Sequence, residues 1–546
     1  METPHIEADY IVIGAGSSGC VVANRLSGVD GGTVLLLEAG GKSRGLKYRL
    51  PLAATTLWFD PKSTWSLWTE EEPGLDGRRL PVPRGKGLGG SSAINGTVYN
   101  RGSPDDYAQW HDAGLTGWDY ASLLPYFRRI ESHWRGADAY HGSGGEVPVT
   151  PLRHHSQLTP YVLAAARGMG LPLTNDLLGP QPDGIGMSDL NVDPRGRRSS
   201  AADAFLTPIQ SRRALTVETQ AQVLQLVVEA GRAVGVVYMQ GGERRLARAR
   251  REIILSGGAI ASPQILLLSG IGPADELMKL GITPVQDLPA VGRNLNDQPG
   301  ASFEVRCKLP LTSTRDLRID RFAGSMLQWF LGFGGVGAGP PMVAVGSLRT
   351  VEGSRSPDLR VTVTAATMQS KIWWPGFGPR PEHRFQVSFA VAHPVSRGSI
   401  TLASATPLAL PHITYNLLSE NADIAHLRRG YRLMRELVRQ PAMAKIAGDI
   451  VRPAVEPTDD AALDAYLRSV AGTTSHPMGS CKMGVGDDAV VDGECRVRGI
   501  AGLRVIDASV FPTQIAGNPH AAAMMLGDRV SDMILGRPAL SAADLG

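Results

Sequence analysis

Cysteine is scarce: Cys20, Cys307, Cys481 and Cys495 are the only four in 546 residues. No two of them stand in CxxC spacing and their density is far below that of a disulfide scaffold. No metal cluster is expected, and the four read as small buried hydrophobes in a reducing compartment. Neither sign of charge is in excess. Lys and Arg total 55 against 52 Asp and Glu, a formal net charge of +3. This removes the bulk electrostatic case for nucleic acid or an anionic membrane and suits small neutral substrates. The opening METPHIEADY lacks a basic segment followed by an apolar one, so no signal peptide is read and a cytoplasmic location is expected. Long hydrophobic runs are also missing. The most apolar stretch, Phe322 to Gly346, is broken by many glycines and by Pro340 and Pro341; it reads as a helix and loop lining a pocket, with no transmembrane segment.

Length is ample, and two domains with room to bury a cofactor are the natural expectation. Asp9 to Gly14 is a β-branched run ending at glycine, a helical pattern follows through Val21, Val22 and Leu26, and Thr33 to Glu38 is a second apolar run. This is a βαβ unit. Leu215 to Val228 reads as a strand, Gly231 to Met239 continues a β-meander, and Glu252 to Ser256 leads into a glycine turn and a helix. Alternating strands at Leu359 to Thr364 and Phe385 to Ala392 mark a second, substrate-facing region, after which Leu503 to Asp507 is a short buried strand and a helix runs from about Ala521 to Ile534. The expected class is α/β, α+β in the second domain: a Rossmann-like cofactor domain with a discontinuous substrate domain built on an antiparallel sheet. The segments expected are 1–155, 201–301 and 463–546 for the first and 156–200 with 302–462 for the second.

Gly14, Gly16 and Gly19 stand in GAGSSG between strand and helix. They permit a tight turn, the approach of a pyrophosphate to the backbone, and close packing of helix on strand. The helix start, with Ser17 and Ser18, offers oriented N–H groups to phosphate. Glu38, followed by Ala39, ends the second strand where a carboxylate accepts from ribose hydroxyls, which disfavours a 2′-phosphate but leaves FAD and NAD open.

GKGLGGSSAINGTVYNRG, residues 85–102, resembles the first signature of the glucose-methanol-choline (GMC) oxidoreductase family, and GAIASPQILLLSGIG, residues 258–272, resembles the second. VGRNLNDQP (291–299), SHPMGSCKMG (475–484) and LRVIDASVFPTQIAGNPHAAAMMLGDR (503–529) are further pieces in the family's order. The resemblance implies FAD, a two-domain fold and oxidation of alcohols. It places Gly85, Gly89, Gly90, Ser91, Asn95, Gly96 and Val98 around diphosphate and flavin, Val223 at the adenine, Ser256 and Gly257 at the adenosine side, and Asp507 with Ala508 at the pyrophosphate or ribityl chain. Choline-oxidising relatives can carry a flavin-bonded histidine at the position of Ile94, so noncovalent FAD is expected here.

Alcohol oxidation needs a base for the hydroxyl proton while hydride leaves for flavin N5, and histidine titrates in the right range. By resemblance His476 is that base and His520 its partner. Asn518 and Pro519 read as turn chemistry at the flavin edge, opening a helix whose positive end faces the flavin. Thr474 is implied near the site of oxygen reaction. Trp65 and Trp68 read as packing, His154 and His155 as solvated loop residues, and the aromatic run Trp373, Trp374, Pro375 and Phe377 as a substrate entrance favouring an aromatic or apolar, primary alcohol. Electrons then pass to oxygen, a quinone or another acceptor. A hydroxynitrile lyase on the same fold, without net redox, is the alternative, and a noncatalytic flavin module a third.

Overall fold

The computed structural model describes residues 6–545, so Met1 to His5, part of the opening read as lacking a signal peptide, lie outside the described residues. Strand Ile6–Ile13 pairs in parallel with Val34–Glu38 on one side and with the far half of Glu243–Leu255 on the other. Leu215–Thr219 and Leu503–Val505 extend this sheet, also in parallel. Val34–Glu38 is buried along its whole length, as a strand covered on both faces must be. The near half of Glu243–Leu255 turns antiparallel to Arg232–Gln240, which pairs with Ala221–Glu229. The single strand expected from Leu215 to Val228 is therefore two. Gln220 takes a left-handed φ of 57° between them, and the two halves lie at opposite edges of the sheet.

A second seven-stranded sheet is antiparallel throughout, ordered Ala447–Arg452, Pro299–Cys307, Arg384–Val391, Leu359–Thr364, Met342–Leu348, Gly184–Gly186, with Gly472–Thr473 against Pro299–Gly300. Its strands come from widely separated parts of the chain. Strand Pro299–Cys307 and helix Asp460–Val470 run across the expected cuts at 301 and 462, because a hydrogen-bonded ladder and a helix continue where composition changes. In Leu359–Thr364 the odd residues are buried and the even ones partly accessible. The odd face meets helix Asn421–Arg439, which comes close at Gly430: a Cβ there would lie 2.8 Å from Leu359 and 2.9 Å from Phe389. The even face is left for the site.

Helices Ser17–Leu26 and Pro519–Ile534 hold the two ends of the chain together. Ser18 Oγ donates to the Ala523 carbonyl at 2.7 Å, and a Cβ on Gly527 would lie 2.9 Å from the Ser18 carbonyl oxygen. Asp528, fully buried on the same helix, accepts from Arg25 Nε at 2.7 Å and Arg129 Nε at 2.6 Å, pinning helix Tyr120–Ile130 to the pair.

The apolar stretch from Phe322 becomes helix Ile319–Phe330, a loop and strand Met342–Leu348. It does not line the main cavity as expected. In the helix Trp329 turns inward, donating to the Gly196 carbonyl at 2.7 Å, while Leu327, Phe330 and Phe333 face out. All four cysteines are buried and free. Among the described residues no helix is long and apolar enough to cross a membrane, and no cluster of three or more His, Cys, Asp or Glu is placed to hold a metal.

Candidate active site

A cavity of about 590 Å³ runs between the glycine turn after the first strand and the start of the last helix. Its size is that of a small-molecule site. It is lined by Gly14, Gly16, Ser17, Ser18, Glu38 and Ala39, by Gly85, Gly90, Ser91, Asn95, Gly96 and Val98, by Val223, Ser256 and Gly257, and by Asp507, Ala508, Asn518 and Pro519, with His476 and His520. Gly19 and Gly89 do not reach it. A Cβ on Gly19 would lie 1.9 Å from the Gly14 carbonyl oxygen and one on Gly89 would lie 3.1 Å from Ser200, so both permit close packing.

The walls fit a dinucleotide. Added Cβ atoms on Gly96 and Gly258 meet nothing within 4 Å, and one on Gly16 nothing nearer than 3.8 Å, so bare backbone faces open space where a diphosphate would approach. Glu38 ends its strand with Oε2 accepting from the Ala15 amide at 2.9 Å and Oε1 from the Gly40 amide at 2.8 Å. Burial raises its pKa, and these amides act against that rise. Asn95 is oriented by Arg198, which donates to its Oδ1 at 2.6 Å. Ile94 offers no nucleophile for a covalent link.

Asp507 lines the cavity, and its carboxylate is bonded to the protein's own turns. Oδ2 accepts from the Gly258 amide at 2.8 Å and Ser262 Oγ at 2.6 Å, and Oδ1 from the Ser509 amide at 2.8 Å. It braces two turns, and a second anion beside a pyrophosphate would be repelled.

His476 stands at the far end. Ser475 before it has a left-handed φ of 64°, and Asp297 holds this bend by accepting the His476 amide at 3.0 Å. The ring's proton is assigned by its neighbours. Gln298 Nε2 donates to the carbonyls of Ala392 and Ile515 at 2.9 and 3.1 Å, so its Oε1 is the atom 3.0 Å from His476 Nδ1. Arg360 Nη2 donates to Asn518 Oδ1 at 2.9 Å, so Asn518 Nδ2 is the atom 2.9 Å from His476 Nε2. Nδ1 therefore carries hydrogen and Nε2 presents its lone pair. Burial, then the guanidiniums of Arg360 and Arg84, push the His476 pKa well below its ordinary value, so the ring is neutral.

The side chain bonded to His476 Nε2 is Asn518, and His520 lines the same cavity without a hydrogen bond to His476. His520 lines the cavity two residues later on the helix, where the turn aims its Nδ1 at Ser17 Oγ, 2.7 Å away. Burial and then Arg198 lower its pKa to about 4, and its buried Nε2 has no protein partner among the described residues. That orphaned nitrogen beside the glycine turn is itself suited to a polar ligand atom.

Other expectations fare unevenly. Thr474 lines the cavity, its Oγ1 3.0 Å from His476 Nδ1. Trp65 also lines it, under Lys86 Nζ at 4.3 Å, so it does more than pack, whereas Trp68 is half exposed. Trp373 is tied to the Thr314 carbonyl at 2.7 Å, and Trp374 and Phe377 lie on the outer surface away from the cavity lining, so they form no entrance to it. His154 is largely exposed, 3.5 Å from Asp316. Sequence reasoning missed Gln298, Arg360, Arg84 and Asp297. Gln298 and Asp297 lie inside a motif-like segment and were within reach; Arg360, on an alternating strand, carried no signal.

Family models described as GMC oxidoreductase match residues 8–300 and 394–527. An oxygen-dependent choline dehydrogenase of Chromohalobacter salexigens is 40% identical over 543 residues, 99% of this chain and 97% of that protein. The mitochondrial choline dehydrogenase of Mus musculus is 39% identical over 98% of this chain and 90% of its own length. Among solved structures, a pyridoxine 4-oxidase from Mesorbium loti superposes with a TM-score of 0.86 at 28% identity, covering 97% of this chain and 99% of that one. A formate oxidase superposes at 0.89 with 25% identity, covering 97% and 98%.

Proposed function

The chain belongs to the GMC oxidoreductase family, and on that premise we propose that it oxidises a primary alcohol with an apolar or aromatic body to the aldehyde, using noncovalent FAD. The observation that carries this reading is His476 Nε2, unprotonated and accepting only from the Asn518 amide, at the end of a cavity whose glycine walls fit a dinucleotide. FAD held there supplies the acceptor for hydride from the carbinol carbon. Its diphosphate would lie against the backbone of Gly14, Gly16 and Gly90, its ribose hydroxyls by Glu38, its adenine by Val223 and its flavin by Asn95 and Gly96.

The protein's part is proton handling and orientation. The alcohol hydroxyl gives its proton to His476 Nε2, while Asn518 Nδ2, now bonded to that nitrogen, turns its N–H to the alcohol oxygen. Gln298 holds the ring's other side and Asp297 the backbone amide of His476, so the base does not rotate away. Low ring pKa keeps the base unprotonated at neutral pH. Oxygen or another acceptor then reoxidises the cofactor, and the protein acts from a cytoplasmic location.

The test is anaerobic mixing of the holoenzyme with benzylic, furanic, aliphatic and amino alcohols, followed by air, while the flavin absorbance is recorded. Bleaching by one class supports the reading, and rapid recolouring in air marks an oxidase. A flavin that stays yellow with every alcohol while a cyanohydrin is cleaved would replace it with the lyase.

A further inference from the structure

Arg360 projects from the even, partly accessible face of strand Leu359–Thr364, beside Thr362 and Thr364 on the same strand and Ser388 on the next. Two of its five N–H groups go to Gln298 Oε1 at 2.6 Å and Asn518 Oδ1 at 2.9 Å. Among the described residues no carboxylate stands within ion-pairing distance of it. Its Nη1 is 3.2 Å from His476 Nδ1, and its Nη2 is one amide away from the nitrogen that takes the substrate proton. Arg84 is the second guanidinium near this ring. It lines the cavity and spends its bonds on the carbonyls of Pro83 and Ser475 at 2.7 and 2.8 Å.

The acids nearby do not offset these cations on the cavity side. Among the described residues Glu38 and Asp507 are the only acidic ones that line the cavity, and both are spent on backbone amides around the nucleotide-binding turns. Asp297 is fully buried behind His476, spent on that residue's amide and on Thr473. A substrate therefore meets Arg84 in the cavity lining and, one side chain behind Asn518, the charge of Arg360, with no exposed carboxylate. Burial lowers the Arg360 pKa only to about 10, so the charge persists at neutral pH.

We propose that the alcohol oxidised here carries an anionic group, a carboxylate, which Arg360 draws to the site, and that alcohols bearing a quaternary ammonium are rejected. The relatives that act on choline share the chain's length and family, yet a cationic alcohol would place like charges together in a dry site, where such repulsion is strong. The proposal rests on the alcohol-oxidation reading and names the substrate class for it.

Two matched sets of alcohols test it on the holoenzyme. One is para-hydroxymethylbenzoate, its methyl ester and the para-trimethylammonium analogue; the other is beta-hydroxypropionate, its amide and choline. In at least one set kcat/KM should fall at least about tenfold from anion to neutral and again to cation. In Arg360→Gln the anion-to-neutral ratio should collapse towards one, and in Arg360→Lys it should survive in part. Taking the ratio within one variant cancels any damage to the orientation of Asn518. A ratio near one in the parent, or the same ratio in Arg360→Gln, overturns the proposal. Calorimetric titration with benzoate and benzamide separates binding from chemistry. If no alcohol bleaches the flavin yet benzoate binds at least about tenfold tighter than benzamide and loses this in Arg360→Gln, the oxidation reading fails and the anion site stands. Equal binding of the two overturns the anion site.

Discussion

Asn518 Nδ2 lies 2.9 Å from His476 Nε2, and Arg360, by holding the other end of the Asn518 amide, determines that the contact is a donated N–H. The histidine is left with its lone pair towards the cavity and its proton on the side of Gln298.

His476→Ala should purify yellow, with FAD in place, and reduce that FAD with alcohol about a hundredfold to ten-thousandfold more slowly, the usual range for losing a general base. Stopped-flow absorbance under argon measures it. Reduction at the parent rate would remove His476 from the mechanism.

Asn518→Ala should slow reduction by a smaller factor, about tenfold to a hundredfold, because one hydrogen bond to the alcohol oxygen is lost while the base remains. Asn518→His should restore part of that loss. If His520→Asn slows reduction more than Asn518→Ala does, the pairing seen here is not the one that serves the reaction.

The pH profile of kcat/KM should stay flat from neutral pH down through 6.5. A base must be unprotonated to act, and the His476 pKa lies well below 6.5, so activity falls only where the ring finally gains its proton. Removing the guanidinium in Arg360→Gln takes away one cause of that depression. The acid limb should then move up, towards the ordinary histidine value.

Two glycines two residues apart should fail differently. A Cβ at Gly16 meets only the Ser256 carbonyl, at 3.8 Å, and otherwise enters the cavity, so Gly16→Val should fold but bind no FAD. At Gly14, with φ of 97°, a Cβ would lie 2.5 Å from the Ser256 carbonyl oxygen, so Gly14→Val should lower soluble yield outright. Circular dichroism beside flavin absorbance tells the two apart; a full flavin complement in Gly16→Val would displace the fingerprint from the diphosphate.

Asp528→Ala removes the buried carboxylate shared by Arg25 and Arg129, which keep Glu146 and Asp532 as partners, and should cost about 1–3 kcal/mol in urea unfolding. Since Asp528 is remote from His476 in the chain and bonded to neither His476 nor Asn518, kcat of the folded fraction should change little.

The sequence by itself determined the βαβ turn, because a β-branched run, three spaced glycines and an acid at the next strand's end each have a local physical reason to stand there. It also pointed to His476 and His520, through the motifs around them, and both line the cavity. It did not show that Asn518 is the side chain bonded to His476. Asn518 and His520 are two residues apart, and only the helix start, at Pro519, decides which points to His476 and which to Ser17. It placed an aromatic entrance at Trp373 and Trp374, whereas folding puts them outside, since nothing local distinguishes a residue lining a cavity from one covering a surface. Arg360 was silent in sequence because its meaning arises from strand register: alternation sends it to the face opposite Leu359, and the crossing of distant segments brings Gln298, His476 and Asn518 to that face. Residue type and local spacing thus settled the cofactor turn, while the charge the substrate meets was settled by long-range packing.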